Sequence, residues 1–131
     1  MKVVFPDEDG GAETSDIADA VRYAVDHGAN IINMSFGGAN EDPALTLALD
    51  EALEAGVFMV AASGNNGEME ISFPANVESV MAVGSCNVHD FGDMPVVSDF
   101  SNYGAQMDVV APGEQIIQET NLDPQDEGYE A

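Results

Sequence analysis

The chain has 131 residues, a size that fits one domain, and its two Lys and Arg side chains against 25 Asp and Glu give a formal charge of −23. That charge makes nucleic acid a poor partner, because phosphate recognition needs clustered basic groups and only Lys2 and Arg22 are present. An apolar fraction of 45% argues for a packed core over wholesale disorder, and a single cysteine excludes an internal disulfide framework and a multi-cysteine zinc site.

In chain order, Lys2-Val3-Val4-Phe5 reads as a short strand, ended by Pro6 and the polar run from Asp7 to Gly11. Thr14 or Ser15 is placed to cap a helix, with Asp16 in its first turn, where the helix dipole favours negative charge. Ile17, Ala20, Val21, Ala24 and Val25 recur at helical spacing, and His27 and Gly28 mark the exit. Ala29 to Phe36 is the next strand, stopped by Gly37-Gly38. A second helix is framed by Asp42 as cap and Pro43 in the first helical position. Leu45, Ala48, Leu49, Ala52 and Leu53 form its apolar stripe, and Gly56 ends it. Val57 to Ala62 is a continuous apolar strand. Apolar strands separated by crossover helices predict right-handed βαβ units and a parallel sheet.

After Gly64-Asn65-Asn66-Gly67 the pattern changes. The chain is irregular through Phe73-Pro74, Ser79 to Ser85 reads as a strand, and Asn87 to Ser98 as a polar loop. Gln106 to Ala111 is a last short strand, cut by Pro112-Gly113. From Gln118 onward the residues are polar and acidic without periodicity, so 1–117 is taken as the domain portion and 118–131 as an acidic loop or tail. No apolar run approaches the roughly 20 residues of a membrane helix, and no basic-then-apolar leader opens the chain, so neither membrane nor signal segment is expected.

In a parallel α/β sheet, functional groups gather at the carboxyl ends of the strands. Three such ends stand out, at Asp7–Gly11, Ser35–Gly38 and Ser63–Gly67. In the last, Ala61, Ala62, Ser63 and Gly64 are small enough for a ligand to approach the backbone, and Asn65 offers an amide donor at the strand tip. The same residues also fit a tight turn that merely needs Gly and Asn for left-handed angles. Taken alone, both readings stand.

The order of motifs shifts the balance. Ile31-Ile32-Asn33-Met34-Ser35-Phe36-Gly37-Gly38, a helix, and then Val60-Ala61-Ala62-Ser63-Gly64-Asn65-Asn66-Gly67 resemble the subtilisin-like serine proteases, the subtilases. Phe73-Pro74-Ala75, Ser79 to Gly84, Asp99-Phe100-Ser101-Asn102-Tyr103-Gly104 and Asp108 to Gly113 follow in the same sense. Each block is weak alone, and six in order make a strong match. The resemblance implies a three-layer, doubly wound, mainly parallel α/β sheet, present here in part. It places Asn65 at the oxyanion-hole asparagine, whose amide donates to the developing alkoxide of the tetrahedral intermediate. It makes Ser35, Phe36 and Gly37 the edge that pairs with an extended polypeptide substrate. Ala62, Ser63 and Gly64 become the opposite wall of the primary specificity pocket, with Ser72 to Ala75 at its base. The family's weak cation site would fall on backbone carbonyls near Ala75, Val77 and Val80, which no side chain here supports, so neither metal nor cofactor is assigned.

The departures weigh as much. A subtilase acts through a Ser–His–Asp triad in the chain order Asp, His, Ser. By the resemblance, the aspartate and histidine motifs belong upstream of Lys2 and the serine motif shortly after Gly113, and none of the three is in the 131 residues. The remaining candidates do not replace them. His27 sits at a helix end, His89-Asp90 lies in a loop, and Ser63, Ser98 and Ser101 have no base that sequence identifies. Cys86 closes an apolar strand and reads as a small buried hydrophobe, and Asp7, Glu8 and Asp9 as a solvated acidic loop. The expectation is therefore the central piece of a serine endopeptidase, inactive as an isolated chain, from a family that is usually secreted. The alternative is a non-catalytic acidic α/β binding module or gene remnant; a response-regulator-like domain is its weaker form, lacking any Lys after Lys2.

Two physical expectations accompany this reading. Without the helix that begins at the family's serine, one face of strands Ile31–Phe36 and Val57–Ala62 should lie partly bare, which predicts self-association. The charge fits either a solvated surface or adaptation to molar salt, where the Debye length shrinks to about 3 Å and self-repulsion fades. If the saline reading holds, the unfolding midpoint rises as KCl is raised beyond physiological concentration; a flat or falling midpoint refutes it.

Overall fold

Residues 12–87 and 94–116 are described by the computed structural model. The expected strand at 2–5, the acidic loop at 7–11, His89-Asp90 and the tail at 118–131 lie outside the described residues. Helix α1 spans Thr14–Asp26. Its start differs from the expected Thr14 or Ser15 cap. Glu13 takes the N-cap position in extended backbone, and its carbonyl accepts from the backbone N–H groups of Asp16 at 3.0 Å and Ile17 at 3.1 Å. Thr14 and Ser15 are thus already inside the first turn, where their hydroxyls no longer face the free N–H groups, and no side chain caps the helix. Gly28, at φ +81°, turns the chain into strand β1, Ile31–Met34.

Helix α2, Pro43–Glu54, forms as its sequence dictates. Asp42 Oδ1 accepts from the backbone N–H groups of Ala44 at 2.9 Å and Leu45 at 3.0 Å, and Pro43 occupies the first turn, where its missing N–H leaves no bond unmade. Leu45, Ala48, Leu49 and Ala52 are buried, whereas Leu53 lies on the flank of the stripe and is exposed. Gly56, also at φ +81°, ends the helix ahead of strand β2, Phe58–Ala62.

Strand β3, Met81–Asn87, is the centre of the sheet. It begins two residues later than the apolar run predicts, because Ser79 and Val80 belong to the turn that Val80 N–H closes onto Val77 O at 2.9 Å. β1 pairs with β2, and β2 with β3, all in parallel. Strand β4, Val96–Val97, adds an antiparallel pair at Cys86 and Asn87, and strand β5, Val109–Pro112, runs parallel to β3 from Val83 to Cys86. β4 falls in the stretch expected to be loop, since two residues are too few to show any periodicity.

The sheet has two unlike faces. Met34, Met59, Ala61 and Ala82 point to the side where α1 and α2 pack, and they form one buried cluster with Ala18, Val21, Leu45, Ala48, Leu49 and Ala52. The register puts Ile31, Asn33, Phe58, Val60, Ala62, Met81, Val83 and Val109 on the opposite face. There Ile31 is 68% exposed, Phe58 49% and Val109 44%, so the expected bare face is present among the described residues. No described helix is long and apolar enough to cross a membrane.

The core should carry most of the stability. Leu49→Ala, at a site with 0% exposure, is expected to lower it by about 2–5 kcal/mol, and Asp42→Ala by about 1 kcal/mol, both read from urea denaturation midpoints.

Candidate active site

The site forms where β2 parts from β3. Ser63 N–H still donates to Val83 O at 2.9 Å, and Ser63 O accepts from Ser72 N–H at 2.9 Å, so the backbone of Ser63 is pinned on both sides. Its side chain is buried, with Oγ donating to Asn102 O at 3.1 Å. Ser63 can therefore line a cleft through its backbone only. The chain then turns sharply through Gly64 at φ +109°, an angle side chains rarely adopt, and a Cβ there would collide with Ser72 Oγ and Asn102 Nδ2. Asn65 follows, exposed, at the carboxyl end of β2.

The second wall comes from the end of β1. Asn33 Nδ2 donates to Ser35 Oγ at 2.9 Å, and Ser35, Phe36 and Gly37 are exposed. Gly38 forms an antiparallel bridge with Phe73, its N–H donating to Phe73 O at 2.9 Å and its carbonyl accepting at 3.0 Å. This bridge draws Gly37 close to Ser72, where an added Cβ would lie 3.1 Å from Ser72 Cβ. Ser72 thus sits between Gly37 and Gly64. Of the residues singled out from sequence, Ser35, Phe36, Gly37, Gly64 and Asn65 gather around one end of the sheet. Ala62 sits one strand position earlier, exposed on the bare face.

The other nucleophile candidates are spent on structure. Ser98 and Ser85 share a hydroxyl–hydroxyl bond of 2.8 Å. Ser101 Oγ accepts from Ser85 N–H at 3.0 Å and donates to Asn102 O at 3.1 Å, and Ser98 and Ser101 are both buried. Cys86 is buried in β3. His27 stacks on Tyr23, with ring centroids 3.8 Å apart, and its Nδ1 lies 2.8 Å from Tyr23 O at the end of α1. Among the described residues no three His, Cys, Asp or Glu side chains converge as metal ligands, and Val77 O is already engaged by Val80 N–H.

One participant had no assigned role in the sequence reading. Asn102 is 3% exposed, and its carboxamide reaches into the loop that carries Asn65, with Oδ1 accepting from Asn66 N–H at 2.8 Å and Glu68 N–H at 3.3 Å. The only sequence signal was its place in the block from Asp99 to Gly104, since the partner loop is more than thirty residues away in sequence.

The mainly parallel α/β sheet thus carries an exposed, glycine-turned asparagine at the carboxyl end of β2 and an exposed segment, Ser35–Gly37, at the carboxyl end of β1. The sequence profile described as the Subtilase family matches residues 1–130, and the chain belongs to that family. It is 43% identical over 111 residues to the thermophilic serine proteinase of Bacillus sp. strain AK1, covering 85% of this chain and 26% of that protein. It is 41% identical over 117 residues to the halolysin-like extracellular serine protease Nep of Natrialba magadii, covering 89% of this chain and 21% of that protein. Among solved structures, sphericase superposes with a TM-score of 0.75 at 27% identity, over 82% of this chain and 41% of that one. The prenylagaramide maturation protease PagA gives 0.70 at 37% identity, over 84% and 40%. The chain thus spans about a quarter of the length of the two curated relatives.

Proposed function

We propose that this chain supplies the oxyanion donor and part of the substrate cleft of a subtilisin-like serine endopeptidase, the nucleophile and its base coming from sequence outside these 131 residues. The observation that carries the reading is the exposed Asn65, presented by the Gly64 turn across Ser72 from the Ser35–Gly37 edge. Attack on a peptide carbonyl puts negative charge on its oxygen, and a fixed amide donor stabilises that charge more than it stabilises the neutral carbonyl. An extended substrate would add as a strand along Ser35–Gly37, with the side chain before the scissile bond entering between that edge and the backbone of Ala62, Ser63 and Gly64. Residues 1–117 would form the peptidase portion. The halolysin-like relative, 41% identical, supports the saline reading of the charge.

Incubated with a chromogenic peptide and a serine-directed phosphonate probe, the isolated chain should show neither turnover nor labelling, and either result would overturn this division of labour. In a domain reassembled with the Asp-, His- and Ser-bearing segments of the Bacillus AK1 relative, Asn65→Ala should lower kcat by about 10²–10³ with little change in KM, a magnitude measured in subtilisin itself.

The isolated chain should also associate through its bare sheet face. Sedimentation should show oligomers that the double variant Ile31→Thr, Phe58→Thr disperses; a monomeric parent would remove this part of the proposal.

A further inference from the structure

Asn65 projects from a loop that has no regular secondary structure of its own, so something outside the loop must hold it. The grip comes from one segment. Gly64 O accepts from Asn102 N–H at 2.9 Å, Gly67 N–H donates to Phe100 O at 2.8 Å, and Glu68 O accepts from Tyr103 N–H at 3.0 Å. These are backbone bonds, which any sequence could supply. The Asn102 carboxamide adds what a backbone cannot. Its Oδ1 takes the N–H groups of Asn66 and Glu68, and its Nδ2 donates to Ser72 Oγ at 3.3 Å. Asn102 therefore bonds both residues that flank Asn65, Gly64 through its backbone and Asn66 through its side chain. It also ties the loop to Ser72, the residue between the two walls of the cleft.

The surroundings hold Asn102 in turn. Its carbonyl accepts from Ser63 Oγ and Ser101 Oγ, each at 3.1 Å, and Ser101 Oγ is fixed by Ser85 N–H of β3. Gly64 admits no Cβ because the Asn102 carboxamide and Ser72 Oγ already fill that space. A carboxamide matches this set of partners, with an acceptor for two N–H groups on one side and a donor for a hydroxyl on the other. A carboxylate keeps the acceptor and loses the donor. An aliphatic side chain loses both.

We infer that Asn102 is the positioning residue of the oxyanion loop, holding Asn65 at the cleft by clamping the backbone on its C-terminal side. The inference rests on the proposed role of Asn65, although the clamp can be measured without any activity. In the 131-residue chain, Asn102→Ala should speed amide hydrogen exchange at Asn66 and Glu68 by about tenfold or more, with sheet amides at Ala61 and Val83 changing by less than about twofold. The backbone order parameter at Asn65 should fall from about 0.85 toward 0.6, while the values in β2 and β3 hold. Asn102→Asp retains Oδ1 and should restore protection at Asn66 and Glu68. Unchanged exchange at these two amides, or a rise shared equally by the sheet, would overturn the clamp. Should Asn102→Ala fail to fold, Asn102→Asp decides: protected loop amides uphold the clamp, and exposed ones refute it. Failure of the oxyanion role itself would show elsewhere, as an unimpaired Asn65→Ala in the reassembled enzyme, so the two readings fail separately.

Discussion

The site depends on how one edge of β3 is shared. Successive residues of a strand direct their backbone groups to opposite edges. Val83 and Ser85 face one edge, where Val83 O accepts from Ser63 N–H and Ser85 O accepts from Ser98 N–H. β2 occupies the first half of that edge and leaves it at Ser63. The vacated half cannot stay empty, because a buried unpaired amide or carbonyl costs about 1–3 kcal/mol. The chain from Val96 to Asn102 fills it, with Ser98 N–H on Ser85 O and Ser101 Oγ on Ser85 N–H. Once Ser101 is fixed there, the next residue falls against the Gly64–Glu68 loop. Departure of β2, filling of its place and support of the Asn65 loop are therefore one structural event. It explains why three serines that resemble nucleophile candidates on paper are buried: their hydroxyls complete the hydrogen bonding of this junction.

Charge contributes little to holding the fold together. Arg22, the one Lys or Arg among the described residues, bonds Glu51 on α2 at 2.9 Å and lies 3.6 Å from Asp19 on its own helix. Both ion pairs are partly exposed, and such pairs are worth about 0–1 kcal/mol, less in salt. The α1–α2 contact must then rest on the apolar residues Ala18, Val21, Ala48, Leu49 and Ala52. Asp42, Asp108 and Glu41 accept hydrogen bonds, but carboxylates outnumber basic groups 25 to 2 and repel one another, which is why added salt is the natural variable for this chain.

Legibility in the sequence followed range. α2 was readable in all but Leu53, which is exposed, because its cap, its first-turn proline, the rest of its stripe and its terminal glycine are all local, and Asp42 bonds only its immediate successors. α1 was readable in most of its stripe, though Ala18, the most buried residue of the helix, fell outside it, and not in its start, since whether Thr14 or Glu13 supplies the first carbonyl depends on where the incoming chain bends. The strands were placed with ends shifted by about two residues, the usual ambiguity where apolar runs continue into turns. β4 left no mark because pairing with Cys86 and Asn87 defines it, and pairing is non-local. At the proposed site, family motifs offered Ser35–Gly37 and Gly64–Asn65 as candidates, and both segments lie at the carboxyl ends of their strands. That Gly37 approaches the serine already beside Gly64, and that Asn102 reaches the loop, are contacts across thirty or more residues that no periodicity encodes.

The distribution of acidic residues separates the two faces more sharply than hydrophobicity does. The open face presents Ile31, Asn33, Phe58, Val60, Ala62, Met81, Val83, Ser85, Val109 and Ala111, and none of these is charged. In a chain with 25 acidic residues, a surface meant for water would carry its share, as the outward sides of α1 and α2 do with Asp16, Asp19, Asp26, Asp50, Glu51 and Glu54. Excluding carboxylates from the open face costs solubility in the isolated chain. The composition is that of an interior: β-branched and aromatic residues set on a parallel sheet, the pattern seen where both faces of such a sheet are covered. In a chain that carries −23 in all, an uncharged face of this kind is suited to burial. The strand ends that carry Ser35–Gly37 and Asn65 lie at the rim of this apolar face, next to the exposed residues of the acidic exterior.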